Sequence, residues 1–196
     1  AWGLGTAPSG TLIVDVDSTI CEVHGYQKAG AAYGYTRVRG YHPLLATRAD
    51  TGEVLHARLR TGSANTARGV VRFVDELLAR LGRAGAGEAI IVRADSGFYQ
   101  HRLLARLTKA KVGFTVTIPQ RAPVRAAIAA IAETTWQRID YPDGEAHVAE
   151  CVYRGRRLIV RRVRNHHGPQ GQLFATWRYH AFVTTLDGSA WALDRQ

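Results

Sequence analysis

Two short apolar runs, each closed by carboxylates, constrain this chain more than any other feature. Thr11-Leu12-Ile13-Val14-Asp15-Val16-Asp17 follows Pro8-Ser9-Gly10, and Ala89-Ile90-Ile91-Val92 leads into Arg93-Ala94-Asp95 and the turn Ser96-Gly97. Each run reads as a buried central strand whose C-terminal end opens to solvent. In a sheet flanked by helices, those strand ends form the functional rim. Two carboxylates that meet there from neighbouring strands can hold divalent metal, and an all-oxygen donor set suits Mg²⁺ or Mn²⁺. A pair of such ions would activate a water or a 3′-hydroxyl and stabilise the leaving oxygen at a phosphodiester. The same residues have a plainer use, because Asp17 and Asp95 can also cap the turns that follow them.

Around these runs the chain alternates strand and helix patterns. Pro43 to Arg48 and Val54 to Arg60, joined by Asp50-Thr51-Gly52, predict a hairpin. A helix is expected from a cap at Ser63 or Asn65 to about Leu81, with apolar residues at spacings of three and four, and Gly82 and Gly85 end it. A second helix is expected from about Phe98 to Ala110, then a strand from Val112 to Ile118 closed by Pro119. The order β, β-hairpin, α, β, α, β indicates an α/β fold with a mixed sheet covered by helices. Beyond Pro119 the pattern turns β-rich: a short helix over roughly 124–132, then strands over 145–153, 156–164 and 179–186. The expected division is a core over 1–119 and a β-rich insertion over 120–196, with no helix after the last strand.

Composition bounds the alternatives. With 196 residues, 46% apolar and 21% charged, the chain can build one domain with a proper core and a sizeable insertion. No run approaches eighteen uninterrupted apolar residues, so no membrane partner is expected. No basic segment followed by an apolar one marks a secretion signal. Cys21 and Cys151 make neither a disulfide framework nor a C-x-x-C pair, so a cytoplasmic setting is expected. There is no methionine, even at position 1, which suggests a piece of a longer protein. Basic residues outnumber acidic ones 26 to 16, for a formal charge of +10, and only three of the basic residues are lysines. A GC-rich coding sequence accounts for the arginine preference but not for the net excess, so a polyanionic partner is the expectation.

Arg154, Arg156, Arg157, Arg161, Arg162 and Arg164 crowd one expected hairpin with no acid between them, and Arg37, Arg39, Arg58 and Arg60 alternate along the early strands. Such patches make phosphate contacts that position duplex DNA without reading its sequence. Tyr26, Tyr33, Tyr35 and Trp177 are candidates for stacking on unpaired bases near a cleaved end. The plain alternative is a solvated face for the arginines and core packing for the aromatics. His166-His167 is a loop pair with no further ligand to make a metal site.

Four blocks carry a resemblance: Leu12 to Lys28, Gly40 to Ala46 (Gly-Tyr-His-Pro-Leu-Leu-Ala), Gly62 to Ala67 (Gly-Ser-Ala-Asn-Thr-Ala) and Arg93 to Phe98 (Arg-Ala-Asp-Ser-Gly-Phe). Their order and spacing, continued through Arg178 to Thr184, resemble the catalytic domain of DDE insertion-sequence transposases, in particular the group numbered thirteen-eighty. The resemblance implies a ribonuclease-H-like fold with a β-rich insertion before a last catalytic helix. It also implies Mg²⁺- or Mn²⁺-dependent cleavage and transfer of DNA strands at transposon ends, work at the nucleoid, and a homodimer in the full-length synaptic complex. Carried over by motif, the first aspartate falls on Asp17 and the second on Asp95, with Asp15 an auxiliary metal ligand. The third acid, a glutamate on a helix after the insertion, has no match. Glu133, Glu145 and Glu150 precede it or lie inside the insertion, and Asp187 and Asp194 are expected outside any helix. The chain is therefore expected to be an inactive fragment that lacks the final catalytic helix.

Two other readings stand beside this one. Leu12 to Ile20 also resembles the first motif of haloacid-dehalogenase-type phosphatases, with Asp15 as nucleophile and Asp17 as general acid. That chemistry needs a later acidic pair and a preceding lysine, whereas Lys109 and Lys111 follow Asp95. The other is a DNA-binding remnant without catalysis.

Overall fold

Alternation along Thr11–Ser18 builds the first strand, β1: Leu12, Val14 and Val16 are buried on one face, and Ile13, Asp15 and Asp17 point to the other. The computed structural model describes residues 10–25, 27–86, 89–142, 144–165 and 176–195, and the chain divides into two units, 1–114 and 115–196.

In the first unit, β2 (Cys21–Glu22), β3 (Ala32–Tyr33) and β4 (Arg39–Tyr41) form a small separate sheet in the order β2-β4-β3. The sequence from Cys21 to Tyr41 carries no sign of it, because strands of two or three residues are too short to show a period. β5 (Leu44–Arg48) and β6 (Val54–Arg58) make the expected hairpin, with an irregularity at Ala46/Thr47. The first helix, α1 (Val70–Arg83), starts four residues later than an Asn65 cap would place it. Asn65 spends its side chain on the Ala67 N–H, 3.0 Å away, in a turn, and the helix begins after Gly69, whose φ of 77° suits a residue without Cβ. Val70, Phe73, Val74, Leu77 and Leu81 of α1 are buried, each contributing about 1.5–3 kcal/mol of apolar burial. β7 (Ala89–Ala94) follows. A single 3₁₀ turn, Ser96–Phe98, then precedes α2 (His101–Lys109), which replaces the continuous helix expected from Phe98.

β1 lies between β5, which is antiparallel to it, and β7, which is parallel, so the sheet is mixed. α1 packs on β5, β6 and α2. This is an α/β fold with a central sheet and flanking helices, consistent with ribonuclease-H-like architecture.

β8 (Gly113–Thr117) leads into the second unit, followed by α3 (Ala122–Ala129), β9 (Gln137–Ile139), β10 (Ala146–Tyr153), β11 (Arg156–Asn165) and β12 (Thr176–Thr184). These strands order as β8-β12-β11-β10-β9, antiparallel from β12 through β9. Contrary to expectation, a last helix follows, α4 (Ala190–Asp194), capped by the Ser189 hydroxyl accepting from the Ala192 N–H at 3.2 Å. The turn Asp187-Gly188 hid it, since five residues are too few for helical periodicity. Leu193 of α4 packs into a core of Ile139, Ala146, Val148, Ile159 and Val163, and α3 packs on β10.

Candidate active site

The parallel ladder between β1 and β7 sets Asp15 opposite Arg93 and Val16 opposite Ala94. Asp17 is the next residue of β1, and Asp95 is the first residue past β7, at the C-terminal end where the ladder opens. Neighbouring strands run about 4.8 Å apart, and positions of like register share a face. Both side chains are exposed. Each closes its own turn with one oxygen: Asp17 Oδ1 accepts from the Ser18 N–H at 2.7 Å, and Asp95 Oδ1 accepts from the Gly97 N–H at 2.9 Å. The second oxygen of each has no protein partner among the described residues.

Asp15 differs from both. Arg93 donates to its two oxygens, Nε at 2.6 Å and Nη2 at 2.8 Å, so the auxiliary ligand expected here is held in a bidentate ion pair. The pairing also weighs against Asp15 as a phosphatase nucleophile, since both oxygens already carry strong hydrogen bonds.

Behind the two acids lies a support that the motifs did not signal. His42 is 1% exposed; its Nδ1 faces the Ala64 carbonyl at 2.8 Å and its Nε2 faces the Ser18 hydroxyl at 3.0 Å. Arg60 shapes the loop that carries Ala64. Its Nε donates to the His42 carbonyl at 2.7 Å, and its Nη1 donates to the carbonyls of Asn65, Thr66 and Arg68. Burial and the neighbouring charges of Arg58 and Arg68 lower the Arg60 pKa from its usual value. The same loop reaches the second acid. A Cβ on Gly97 would stand 2.8 Å from Thr66 Cγ2, and Gln100 donates to the Ala67 carbonyl at 3.3 Å.

The arginines assigned to DNA are held within the protein. In the second unit four of them meet four acids. Arg157 binds Glu150 and the carbonyls of Leu186 and Gly188, and Arg161 binds Asp194 of α4. Arg162 binds Glu133 through two 2.8 Å bonds, and Arg164 binds Glu145 at 2.7 Å. Folding brings these acids in from β10, α4 and the segments before β9 and β10, although none lies between the arginines in sequence. Hydrogen bonds from Arg162 and Arg164 hold the Glu133 and Glu145 carboxyls below their ordinary pKa. The Arg162 guanidinium is also sandwiched between Trp136 and Trp177, 4.3 and 4.5 Å from the ring centroids, and only 8% of its side chain is exposed. Trp177 thus packs on an arginine. Arg154 adopts a left-handed φ of 51° in the β10–β11 turn with its guanidinium over Tyr153, and Arg156 opens β11. In the first unit Arg58 pairs with Glu76 and lies 5.9 Å from the Phe73 centroid.

Tyr33 and Tyr35 are exposed, on and just after β3. Arg37, also exposed, takes a left-handed φ of 59° in the turn that follows, its N–H donating to the Gly34 carbonyl. Tyr26, His166 and His167 lie outside the described residues.

Among the described residues no three His, Cys, Asp or Glu side chains cluster as a metal site. Two exposed carboxylates with an oxygen each to spare still fit Mg²⁺ or Mn²⁺, which take one or two protein carboxylates and keep water or phosphate oxygens elsewhere. Among the same residues no helix is long and apolar enough to cross a membrane.

Comparison with known proteins bears on the fold and the family. No curated protein matches the chain. Among solved structures, the cryo-EM structure of a piggyBac transposase synaptic complex with hairpin DNA is similar, with a TM-score of 0.54 at 13% identity over 90% of this chain, a likeness of fold. The chain spans about a third, 34%, of that protein's length. The family model described as transposase DDE domain, group 1, matches residues 5–194. With that match over nearly its whole length, the chain belongs to the group 1 transposase DDE domain family.

Proposed function

We propose that Asp17 and Asp95 together hold Mg²⁺ or Mn²⁺, and that the chain serves DNA strand cleavage and transfer at the ends of mobile DNA. The observation that carries this reading is the parallel β1–β7 register, which ends one residue short of both family aspartates. When bound, the ion supplies Lewis-acid activation of the attacking oxygen and stabilisation of the leaving oxygen at a phosphodiester. The protein's part is positional. The N–H groups of Ser18 and Gly97 each hold one carboxylate oxygen and leave the other to face the ion. The Asp15–Arg93 pair braces the two strands one turn of the pleat below.

Glu133, Glu145, Glu150 and Asp194 are each committed to an arginine, so none is assigned as a third ligand. We take cleavage to require a further carboxylate beyond Asp17 and Asp95. The chain alone then binds metal and DNA but nicks poorly. The substrate is duplex DNA at transposon ends and in the target, acted on at the nucleoid by a homodimer of the full-length protein.

The test measures affinity for a labelled DNA end with and without Mn²⁺, alongside a nicking assay. Binding is expected to tighten with Mn²⁺, and Asp17→Asn or Asp95→Asn should each remove that gain. Metal-independent binding kept by both variants would instead favour a DNA-binding remnant without catalysis. Robust nicking by the chain alone would overturn the requirement for a third carboxylate.

A further inference from the structure

We infer that His42 is a positioning residue for Asp17, acting through the Ser18 hydroxyl; this rests on Asp17 being a metal ligand. The geometry fixes the role of one ring nitrogen, and the neutral ring then sets the other. The Ala64 carbonyl can only accept, so His42 Nδ1 carries the hydrogen in the 2.8 Å contact. A neutral imidazole with its hydrogen on Nδ1 has a lone pair on Nε2, and the Ser18 hydroxyl, 3.0 Å away, donates to it. Ser18 is thus tied on two sides: its side chain to the buried ring, and its backbone N–H to Asp17 Oδ1 at 2.7 Å. Rotation of the Asp17 carboxylate away from the rim must break that second bond, and movement of Ser18 to follow it must break the first.

The ring itself has little freedom. The His42 N–H donates to the Arg60 carbonyl at 3.2 Å, and Arg60 Nε returns a bond to the His42 carbonyl. Arg60 also gathers the carbonyls of the Thr61–Arg68 loop, so the ring's acceptor, Ala64, is held by the residue that holds the ring's backbone. The loop's Thr66 packs on Gly97, whose N–H orients Asp95. One loop therefore backs both carboxylates, and His42 is its connection to Asp17. A buried histidine with both nitrogens satisfied is ordinary core structure. What sets this one apart is that its second bond goes to the residue whose N–H orients an exposed, uncompensated carboxylate.

The test uses the whole chain, with Mn²⁺ as probe and its dissociation constant read by electron paramagnetic resonance in the presence of a DNA end. Ser18→Ala removes the hydroxyl and leaves the backbone bond to Asp17. His42→Asn keeps a donor toward the Ala64 carbonyl and loses the acceptor for Ser18. Each is expected to weaken Mn²⁺ about tenfold, within the range of about 10–100-fold for residues that orient metal ligands. The double variant should be no worse than either single one, because the two act as a unit. Ser18→Thr, which keeps the hydroxyl, should restore affinity. Independently of metal, ¹⁵N spectra should show the His42 ring protonated on Nδ1, with the Nε2 resonance moving in Ser18→Ala.

Mn²⁺ affinity within about twofold of wild type in Ser18→Ala, while Asp17→Asn loses it, would overturn the inference and leave the metal site standing. A ring protonated on Nε2 would also overturn it. Should Asp17→Asn leave Mn²⁺ binding unchanged, the site assignment itself fails, and this inference with it.

Discussion

The acids of the first unit and the arginines of the second both stood out in sequence as charges without local partners, and folding treats them in opposite ways. Arg157, Arg161, Arg162 and Arg164 each acquire an acid, whereas among the described residues Asp17 and Asp95 acquire only the N–H of their own turns. A charge that folding neutralises is holding elements together, because an unpaired charge away from water is costly. A charge left at an open strand end is available to a ligand. The count of arginines in a stretch thus leaves out the acid that each one meets on folding.

Stability provides the largest test of the contrast. Arg162→Ala removes two bonds to Glu133 and leaves Trp136 and Trp177 facing a gap. The expected loss is about 2–4 kcal/mol in chemical denaturation, allowing for a desolvated cation–π sandwich and for Glu133 remaining exposed. Arg164→Ala, at a pair open to water, should cost under about 1 kcal/mol. Equal effects would mean that the stacking contributes nothing.

The acids should respond in the other sense. Asp17→Asn and Asp95→Asn are expected to leave stability within about 0.5 kcal/mol of wild type, as surface changes do, while Mn²⁺ affinity falls at least tenfold. A large loss of stability in either would make that aspartate a structural cap.

Acidification sharpens the comparison further. Burial lowers the pKa of His56, His147 and His180, with nearby arginines adding to the effect. A histidine depressed in the folded state binds protons more readily when unfolded. Its contribution is therefore complete above the ordinary value of about 6.5 and is lost as pH falls toward the depressed one. Glu133 and Glu145, lowered by their arginines, extend the loss below about pH 4.5 in the same direction. The Tm should fall between pH 7.5 and 5.5, and His147→Gln combined with His180→Gln should flatten the decline. A Tm that rose over that interval would contradict the assignment.

Legibility followed length and locality. β1, the β5–β6 hairpin and the β10–β11 pair were readable because alternation over five or more residues, closed by a turn, is a local signal. β2 to β4, β9 and α4 were not, since two to five residues carry no period. The late start of α1 came from Gly69 and from the competing turn at Asn65, each a local choice that outweighed the capping signal. At the candidate site, Asp17 and Asp95 are the residues the sequence proposes, because strand ends and motif coincide there. His42 could not be assigned a role, because its partners Ser18 and Ala64 lie 24 and 22 residues away. Glu133 pairing with Arg162 across 29 residues was hidden for the same reason.

The smallest expected effect concerns DNA. Arg37, exposed and without an acid partner among the described residues, should on replacement by alanine reduce the salt slope of log K by up to about 0.9 if it contacts a phosphate. Arg164→Ala, already neutralised by Glu145, should change it much less. Equal slopes would remove the distinction between paired and unpaired arginines.

Crystals grown with Mn²⁺ and measured at its absorption edge test the central claim most directly. A single anomalous peak between the Asp17 and Asp95 carboxylates, with an oxygen of each at about 2.1–2.2 Å, is the expected result. Carboxylates more than about 8 Å apart, or a peak bound by one without the other, would contradict a shared metal site.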